Sequence, residues 1–337
     1  MPENQRTNVE LDRSVLKYKF EPKKFFLQWE WLLVAILIGI MIMDASLSPY
    51  FSGTNILNAT MNFMDKSFMV LAMIFILLIG EIDISVGSTA ALCSVLMAVS
   101  FNAGLPMPAA MILCLVIGLG CGLVNGLLLA KFRELPAMIV TLSTMTIYRG
   151  IAYIILEDQA SGGFPSWFTY LSWGYIGVFP FSLVMFAILA VIFGLIMHRT
   201  AFGRQLYAMG QNEVTSRYSG IPVGRNITIV FTVMGLMSAV CALFLTSRMA
   251  STRPNVASGY ELDVIAMCVL GGVSTDGGRG NMIGPILAVF IIGFLRYGLG
   301  LVNISAQVML IIIGLLLIAS VLANNFLLNR PKKTPKA

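Results

Sequence analysis

The chain has 337 residues, of which 58% are hydrophobic and only 11% are charged, and its mean hydropathy is +0.86. A soluble domain carries about 25% charged residues, so this composition excludes a soluble protein and indicates a polytopic membrane protein. The net charge of +6 comes from basic residues at the two ends and in a few loops, which is typical of membrane topology and not of a nucleic-acid-binding face.

Apolar segments long enough to cross a bilayer as helices, about 20 residues each, recur along the chain. They predict an all-α fold with about ten transmembrane helices, of which the second, third and eighth are short or glycine-interrupted and therefore tilted, broken or re-entrant. The ten segments are Trp31–Leu47, Met61–Ile79, Ser85–Val99, Pro108–Ala130, Pro136–Leu156, Ile176–Met197, Ile227–Thr246, Leu262–Val273, Met282–Leu299 and Val302–Leu322.

The distribution of Lys and Arg predicts the orientation of these segments, because basic loops stay on the cytoplasmic side. Basic residues precede the first segment and follow the last, so both termini are predicted to be cytoplasmic. The loop 157–175 has no Lys or Arg and is predicted to be external, whereas the loop 198–225 carries four arginines and is predicted to be cytoplasmic. Ten crossings satisfy these assignments, although Arg248 and Arg253 then fall on the outer side.

This orientation divides the chain into three parts. We expect a cytoplasmic N-terminal segment (1–30), a transmembrane domain (31–323) that contains the cytoplasmic loop 198–225, and a basic cytoplasmic tail (324–337). No low-complexity tract or soluble domain interrupts this organisation.

The run Gly80–Ser88 places two carboxylates, Glu81 and Asp83, between long apolar runs. An ionised carboxylate in hydrocarbon costs several kcal/mol unless it faces protein or water. We therefore expect a break between two helices that borders a translocation path, with Asp83 and Ser85 beside the path. The structural alternative is that Asp83 or Ser85 caps the third segment.

Further polar residues lie at bundle depth in the fourth and fifth segments. Asn125, Thr141 and Thr144 either contribute to the same path by recognising sugar-like hydroxyl groups, or they hydrogen-bond neighbouring helices together. Arg149 in the fifth segment either pairs with a buried carboxylate such as Asp83 or extends its guanidinium to the outer interface.

The cytoplasmic loop contains a predicted helix of about two turns. Asn212 suits an N-cap, Glu213 complements the helix dipole in the first turn, and Glu213 and Arg217 form an i,i+4 pair. Two turns are too few for stability without a packing partner, so the helix either packs on its own bundle or docks a cytoplasmic protein. The residues that define it are Gly210, Asn212, Glu213, Arg217, Tyr218 and Gly220.

A glycine cluster follows the eighth segment and consists of Gly271, Gly272, Gly277, Gly278 and Gly280. Glycines permit positive φ and close backbone approach, so the cluster predicts a tight structural turn between helices. A phosphate-binding loop is excluded because the chain contains no G-x-x-x-x-G-K-[ST] sequence.

Enzyme chemistry has no support in the sequence. There is one histidine, His198, and no H-E-x-x-H, G-x-S-x-G or Cys/His metal pattern. We expect no catalytic residue, no cofactor and no metal site, and any ATP hydrolysis must occur in another subunit. The five cysteines lie in apolar runs and are predicted to be free thiols.

Four ordered stretches resemble the permease subunits of ribose-type monosaccharide ABC importers. Gly80–Ser88 resembles their Gly-Gly-Ile-Asp-Leu-Ser-Val-Gly-Ser signature, and Pro136–Met145 with Tyr148–Gly150 resembles a second family stretch. Gly210–Val223 resembles the cytoplasmic loop and Gly259–Gly284 the C-terminal signature. The likeness runs from about residue 61 to residue 321 in one register.

This resemblance implies a permease of the bacterial plasma membrane that works as a dimer with a second copy or a paralogue. It also implies a cytoplasmic ATP-binding subunit that contacts the 210–223 loop, and an external solute-binding protein that delivers a small sugar such as ribose, xylose, galactose or rhamnose. Two positions depart from the family pattern: Glu81 replaces a glycine, and Thr215-Ser216 replace an Ala-Ala pair.

Three alternatives to sugar import remain open at this point. Ser161–Pro165 resembles the autoinducer-2 and rhamnose branches of the family, so an autoinducer-2 import permease is the first alternative. An ion-coupled secondary transporter, in which the carboxylates couple to the ion, is the second. A membrane-embedded enzyme is the third and lacks any supporting motif.

Overall fold

The computed structural model describes residues 29–47 and 53–328. Most of the predicted cytoplasmic segment 1–30, the last nine residues of the predicted tail 324–337 and the basic residues in both lie outside the described residues. Fourteen α-helices lie within the described part: α1 (Trp29–Leu47), α2 (Gly53–Thr60), α3 (Met64–Leu78), α4 (Val86–Asn102), α5 (Met107–Lys131), α6 (Ala137–Leu156), α7 (Tyr170–Trp173), α8 (Phe181–Arg199), α9 (Ala201–Gln211), α10 (Glu213–Tyr218), α11 (Val223–Met249), α12 (Tyr260–Leu270), α13 (Ile283–Leu301) and α14 (Ala306–Leu328).

The prediction of an all-α polytopic membrane protein is confirmed. Within the described residues, six helices are long and apolar enough to cross a membrane, namely α1, α5, α6, α8, α11 and α13. β-structure in the same part of the chain amounts to two antiparallel ladders of two residues per strand. β1 (Ser161–Gly162) pairs with β4 (Ser251–Thr252), and β2 (Tyr175–Ile176) pairs with β3 (Phe179–Pro180).

Helix α3 forms the centre of the bundle. All of its residues are buried, because α8, α11, α12 and α13 pack around it. A largely apolar helix of this kind is stable because neighbouring helices surround it, and its two charged residues, Asp65 and Lys66, lie in its first turn. Helix α3 corresponds to the second predicted segment. It can be short because neighbouring helices cover it on all sides.

Small residues allow α5 and α11 to approach closely. Gly118, Gly122 and Gly126 follow one another at four-residue spacing on α5 and face Gly235 and its neighbours on α11. A methyl group at Gly126 would lie 2.8 Å from Thr228 Cα, inside van der Waals contact. Close backbone approach of this kind is the usual way in which membrane helices gain packing energy.

The structure differs from the sequence-based segments at several places: α11 begins at Val223 and not at Ile227, α14 begins at Ala306 and not at Val302, and no segment predicted the helix α2. Helix α8 begins at Phe181 and not at Ile176, because residues 175–180 form the β2–β3 hairpin and Pro180 precedes the helix. The loop 198–225 contains a second helix, α9, which the sequence analysis missed. Its N-cap is Thr200, whose hydroxyl accepts the Gly203 N–H at 3.2 Å.

Candidate functional site

Asp83, Ser85 and Asn125 form a buried chain of hydrogen bonds between α4 and α5. Asn125 Nδ2 donates to Ser85 Oγ (2.9 Å), and Ser85 Oγ donates to Asp83 Oδ1 (2.6 Å). The same Oδ1 accepts the Ser85 backbone N–H at 2.8 Å. The three residues are at most 2% exposed. These bonds compensate the cost of removing the bonded groups from water, whereas Asn125 Oδ1 has no hydrogen-bond partner among the described residues.

The helix break predicted at this sequence is present. Helix α3 ends at Leu78, α4 begins at Val86, and Gly80 between them has φ of +78°. Ser85 is the N-cap residue of α4, but its side chain makes no capping bond to the helix. Asp83 therefore organises the segment that precedes the helix and does not cap the first turn of α4.

Thr141 and Thr144 lie on the buried side of α6, next to this chain of hydrogen bonds. Thr141 Oγ1 donates to Ala137 O at 2.9 Å and lies 3.4 Å from Ile82 O. Thr144 Oγ1 lies 3.2 Å from Val140 O. Asp83, Ser85, Asn125 and Thr141 thus lie close together where α4, α5 and α6 meet. Thr144 lies about one turn farther along α6, and all five candidate path residues are buried inside the protomer.

Arg149 does not form the ion pair with Asp83 that the sequence analysis considered. Its Nη1 donates to the backbone carbonyls of Pro254 (2.6 Å) and Val256 (2.8 Å), in the loop between β4 and α12. Arg149 therefore joins α6 to that loop and does not pair with Asp83.

The predicted cytoplasmic helix is present as α10. Asn212 Oδ1 accepts the Thr215 N–H at 2.8 Å, Arg217 pairs with Glu213 at 3.0 Å, and Gly220 has φ of +81° after the helix. Val214 and Tyr218 are 64% and 90% exposed. An aromatic and an aliphatic side chain this exposed on a two-turn helix form a contact surface that nothing in the described protomer covers.

Arg133 connects α10 to the break between α3 and α4. It lies in the turn between α5 and α6, pairs with Glu213 at the start of α10, and places Nη1 3.7 Å from Glu81 Oε1. Burial raises the pKa of Glu81, the positive charge of Arg133 lowers it, and the negative charge of Glu213 adds to the rise. Glu81, which departs from the family pattern, therefore has a cationic partner in this protein.

The predicted glycine turn packs against the same region. Gly272, Gly277, Gly278 and Gly280 all have positive φ, and the Gly278 N–H donates to Leu78 O at 2.8 Å. A Cβ at Gly277 would lie 2.9 Å from the Gly210 carbonyl and from the Gly80 nitrogen. Since only glycine fits such an approach, the α12–α13 loop, the end of α9 and the break after α3 are held together at one end of the bundle. Gly271 instead packs against the backbone at the start of α13.

The sequence analysis missed two ionic clusters within the bundle. Asp263 on α12 accepts from Lys66 on α3 at 2.7 Å and from Arg296 on α13 at 2.5 Å. The ammonium of Lys66 also lies 5.0 Å from the centre of the Tyr260 ring. Charged residues inside apolar segments could have indicated that ion pairs form within the bundle, but the sequence does not reveal which charged residues pair with each other.

The second cluster explains the basic residue Arg248 on the predicted outer side. Arg248 Nη2 and the Tyr260 hydroxyl each lie 2.9 Å from Asp65 Oδ2. A paired arginine is compatible with this position, because its charge is neutralised by a carboxylate of the same bundle.

The five cysteines are free and buried, as predicted. Among the described residues, no group of three or more His, Cys, Asp or Glu side chains is arranged to hold a metal ion.

Comparisons with known proteins agree on one class of protein. A family model described as the permease component of branched-chain amino acid transport systems matches residues 55–321. The chain is similar to the autoinducer 2 import system permease protein LsrD of Yersinia enterocolitica, with 34% identity over 310 residues that cover 90% of this chain and 93% of the relative. LsrD of Klebsiella pneumoniae is 34% identical over 315 residues, which cover 91% of this chain and 94% of the relative. LsrD of Salmonella typhimurium is 33% identical over 311 residues, with 90% and 93% covered. No solved structure matches the chain.

Proposed function

The chain belongs to the family of transport permeases whose model spans residues 55–321, and on this basis we propose that it forms the membrane path of an importer for autoinducer 2 or a small sugar. It is an ABC importer permease and a multi-pass protein of the bacterial inner membrane. The observation that carries the proposal is the similarity to LsrD proteins over about nine tenths of both chains.

The two candidate substrates have separate support. Autoinducer 2 is favoured by the similarity to relatives that are named as autoinducer 2 import permeases. A small sugar such as ribose, xylose, galactose or rhamnose is favoured by the resemblance of Gly80–Ser88 to the ribose-type signature. Both are small polyhydroxylated molecules, so one polar path suits either. The description of the family model adds branched-chain amino acids as a third class to be tested.

The remaining subunits of the importer follow from the same proposal. A second copy or a paralogue of this chain completes the path, a cytoplasmic ATP-binding subunit hydrolyses ATP, and an external solute-binding protein delivers the substrate. The lack of any P-loop sequence in this chain supports a separate ATP-binding subunit.

A topology of ten crossings with both termini in the cytoplasm is supported by the contacts between helix ends. Trp29 Nε1 at the start of α1 donates to Leu270 O at the end of α12, so these ends share a side. Gly278, in the loop after α12, bonds to Leu78 at the end of α3 on the same side. Helices α1, α3, α4, α5, α6, α8, α11, α13 and α14 then each cross once, and α12 completes the tenth crossing together with the loop that precedes it. This topology retains the division proposed from the sequence. It consists of a transmembrane domain (31–323) that contains the cytoplasmic loop 198–225, and two cytoplasmic flanking segments (1–30 and 324–337).

The ATP-binding subunit is proposed to dock on α10. Two observations support this role. The helix presents the exposed side chains of Val214 and Tyr218, and it is held by the Asn212 cap and the Glu213–Arg217 ion pair. Gly210 and Gly220 bound the element, and Gly210 contacts the break after α3. Motion of α10 would therefore reach the membrane-embedded part of the chain directly.

The junction of Asp83, Ser85, Asn125, Thr141 and Thr144 is proposed to border the path. These residues are buried in one protomer, where their hydrogen bonds hold the start of α4 in position, and the negative charge of Asp83 is proposed to act on passage along the path beside it. The support is the continuous hydrogen bonding from Asn125 to Asp83 at a helix break.

The test is uptake by the complete importer, with this chain, its partner permease, the ATP-binding subunit and the solute-binding protein reconstituted in proteoliposomes. Radiolabelled autoinducer 2, ribose and leucine are supplied in turn, with and without ATP. We expect ATP-dependent uptake of autoinducer 2 or ribose and no uptake of leucine. ATP-independent uptake driven by an ion gradient would instead establish a secondary transporter.

A further inference from the structure

A cavity of about 490 Å³ opens on the surface of α6, between the start of α4 and the loop before α12. It is distinct from the buried Asp83–Ser85–Asn125 junction. Its polar lining consists of Ser88, Thr146, Arg149, Tyr153, Ser258 and Glu261. This volume lies within the range of small-molecule sites, about 300–1,000 Å³.

The depth of the cavity follows from the length of α12. This helix has 11 residues and rises about 16 Å at 1.5 Å per residue, which is about half of the roughly 30 Å hydrocarbon core. Its last residue, Leu270, bonds to Trp29 at one end of the bundle. Its first turn, which carries Glu261, therefore lies near the middle of the membrane.

Non-helical backbone at membrane depth is tolerated only where it is buried in protein or lines a water-filled cavity. The loop before α12 meets this condition through Arg149, which donates to the carbonyls of Pro254 and Val256. Arg149 thus positions the loop. The loop in turn carries Ser258, which is exposed towards the cavity.

Glu261 is held in place from two sides. Its Oε1 accepts the Gly259 N–H at 3.1 Å, and its Oε2 lies against Gly87 on α4, where an added Cβ would approach it to 2.5 Å. The absence of a side chain at Gly87 therefore lets the carboxylate reach the cavity wall. A carboxylate at this depth that opens to a cavity on the protein surface must face water, a ligand or another subunit, and not lipid.

The chemistry of the lining selects a class of ligand. One carboxylate and one guanidinium give no net charge, and four hydroxyl groups both donate and accept. We propose that this cavity is the site where a neutral polyhydroxylated solute contacts the permease during its passage, with Glu261 accepting hydrogen bonds from solute hydroxyls. This inference rests on the proposed import function and names the surface of the path at which the solute is recognised.

The test uses the complete importer in proteoliposomes, with autoinducer 2 and ribose as solutes. Uptake and ATP hydrolysis stimulated by the solute-binding protein are measured together, so that a solute-contact defect is separated from a folding or docking defect. Glu261→Gln and Thr146→Val are the cavity variants. Their matched controls are Glu157→Gln, at the end of the same helix α6, and Thr232→Val, whose hydroxyl bonds to the carbonyl four residues earlier as that of Thr146 does.

We expect Glu261→Gln to lower the uptake per ATP hydrolysed at least about tenfold, because a hydrogen bond to a charged group is lost. Thr146→Val should lower it about threefold, and both controls should stay within twofold of wild type. Values within twofold for both cavity variants would overturn the assignment of the cavity while leaving the import function intact. A wild-type importer that moves neither solute would overturn the import function itself.

A labelling experiment decides the case in which Glu261→Gln does not assemble. Ser258→Cys, in a background that lacks the five native cysteines, is labelled with a membrane-impermeant maleimide in the complete importer. Saturating solute with its binding protein and a non-hydrolysable ATP analogue should slow the labelling at least about threefold, because the bound solute covers the thiol. Labelling at an unchanged rate would overturn the proposal.

Discussion

Arg133, in the turn between α5 and α6, pairs with Glu213 at the first residue of α10. The same guanidinium lies 3.7 Å from Glu81, in the break between α3 and α4. One side chain therefore connects the proposed docking helix to the segment that precedes Asp83. Each of the three side chains is partly exposed, so the Arg133–Glu213 ion pair contributes at most about 1 kcal/mol to stability. Its main consequence is the coupling of α10 to the break between α3 and α4.

Arg133→Gln is expected to reduce the coupling of ATP hydrolysis to uptake. Without the guanidinium, α10 and the α3–α4 break lose a shared partner, and the carboxylates of Glu81 and Glu213 no longer have a cation between them. Uptake per ATP hydrolysed should fall several-fold while the amount of protein in the membrane changes little. Lys131→Gln, two residues earlier in the chain, is the matched control. Equal coupling ratios in the two variants would contradict the role of Arg133.

Tyr218→Ala is expected to weaken binding of the ATP-binding subunit. The tyrosine is 90% exposed, so its removal costs the protomer little, whereas loss of a buried aromatic contact in a complex commonly costs 1 kcal/mol or more. The measurement is co-purification of the ATP-binding subunit. Tyr170→Ala, at an exposed position at the start of α7 in the predicted external region, is the control. If both variants retained the subunit equally, docking would have to be assigned to another surface.

Asp83→Asn should preserve the fold and reduce uptake. An asparagine Oδ1 can accept both hydrogen bonds that Ser85 donates, so the membrane level should change by less than about twofold. Asp83→Leu removes the acceptor of both the Ser85 hydroxyl and the Ser85 N–H, and should lower the amount of folded protein, since each unsatisfied group costs about 1–3 kcal/mol. Normal uptake by Asp83→Asn would reduce Asp83 to a structural role. Asp158→Asn serves as the control for charge removal.

The proposed topology predicts opposite labelling of two engineered cysteines. Ser166, in the loop predicted to be external, and Ser219, after α10, are both exposed, whereas Ser216 is buried and would report poorly. In a background without the native cysteines, an impermeant maleimide added to intact cells should label Ser166→Cys and spare Ser219→Cys. The reverse pattern would invert the orientation.

The Asp65–Arg248 pair predicts non-additive effects on stability. Removing one partner of a buried ion pair leaves an uncompensated charge and typically costs about 3–5 kcal/mol, whereas removing both is often nearly neutral. Asp65→Asn alone should therefore lower the melting temperature in detergent more than the double variant Asp65→Asn, Arg248→Gln does. Additive losses would show that the two charges do not interact.

Local features were predictable because they depend on residues close together in the sequence. The apolar segments, the α3–α4 break at Gly80, the capped helix α10 and the positive-φ glycines after α12 follow from hydrophobic length, capping chemistry and backbone sterics. The resemblance to ribose-type permeases likewise rests on short contiguous stretches, and the family model confirmed it.

The tertiary structure decided which distant groups meet. Arg149 bonds to the carbonyls of Pro254 and Val256 and not to Asp83, and Asp263 joins Lys66 to Arg296 across three helices. Pairings of this kind depend on how helices cross and rotate about their axes, which is set by close packing of side chains far apart in the chain. A hydrophobic period identifies a helix that crosses the membrane. In a mostly apolar helix such as α3, it contains no information about which neighbours meet the charged residues Asp65 and Lys66.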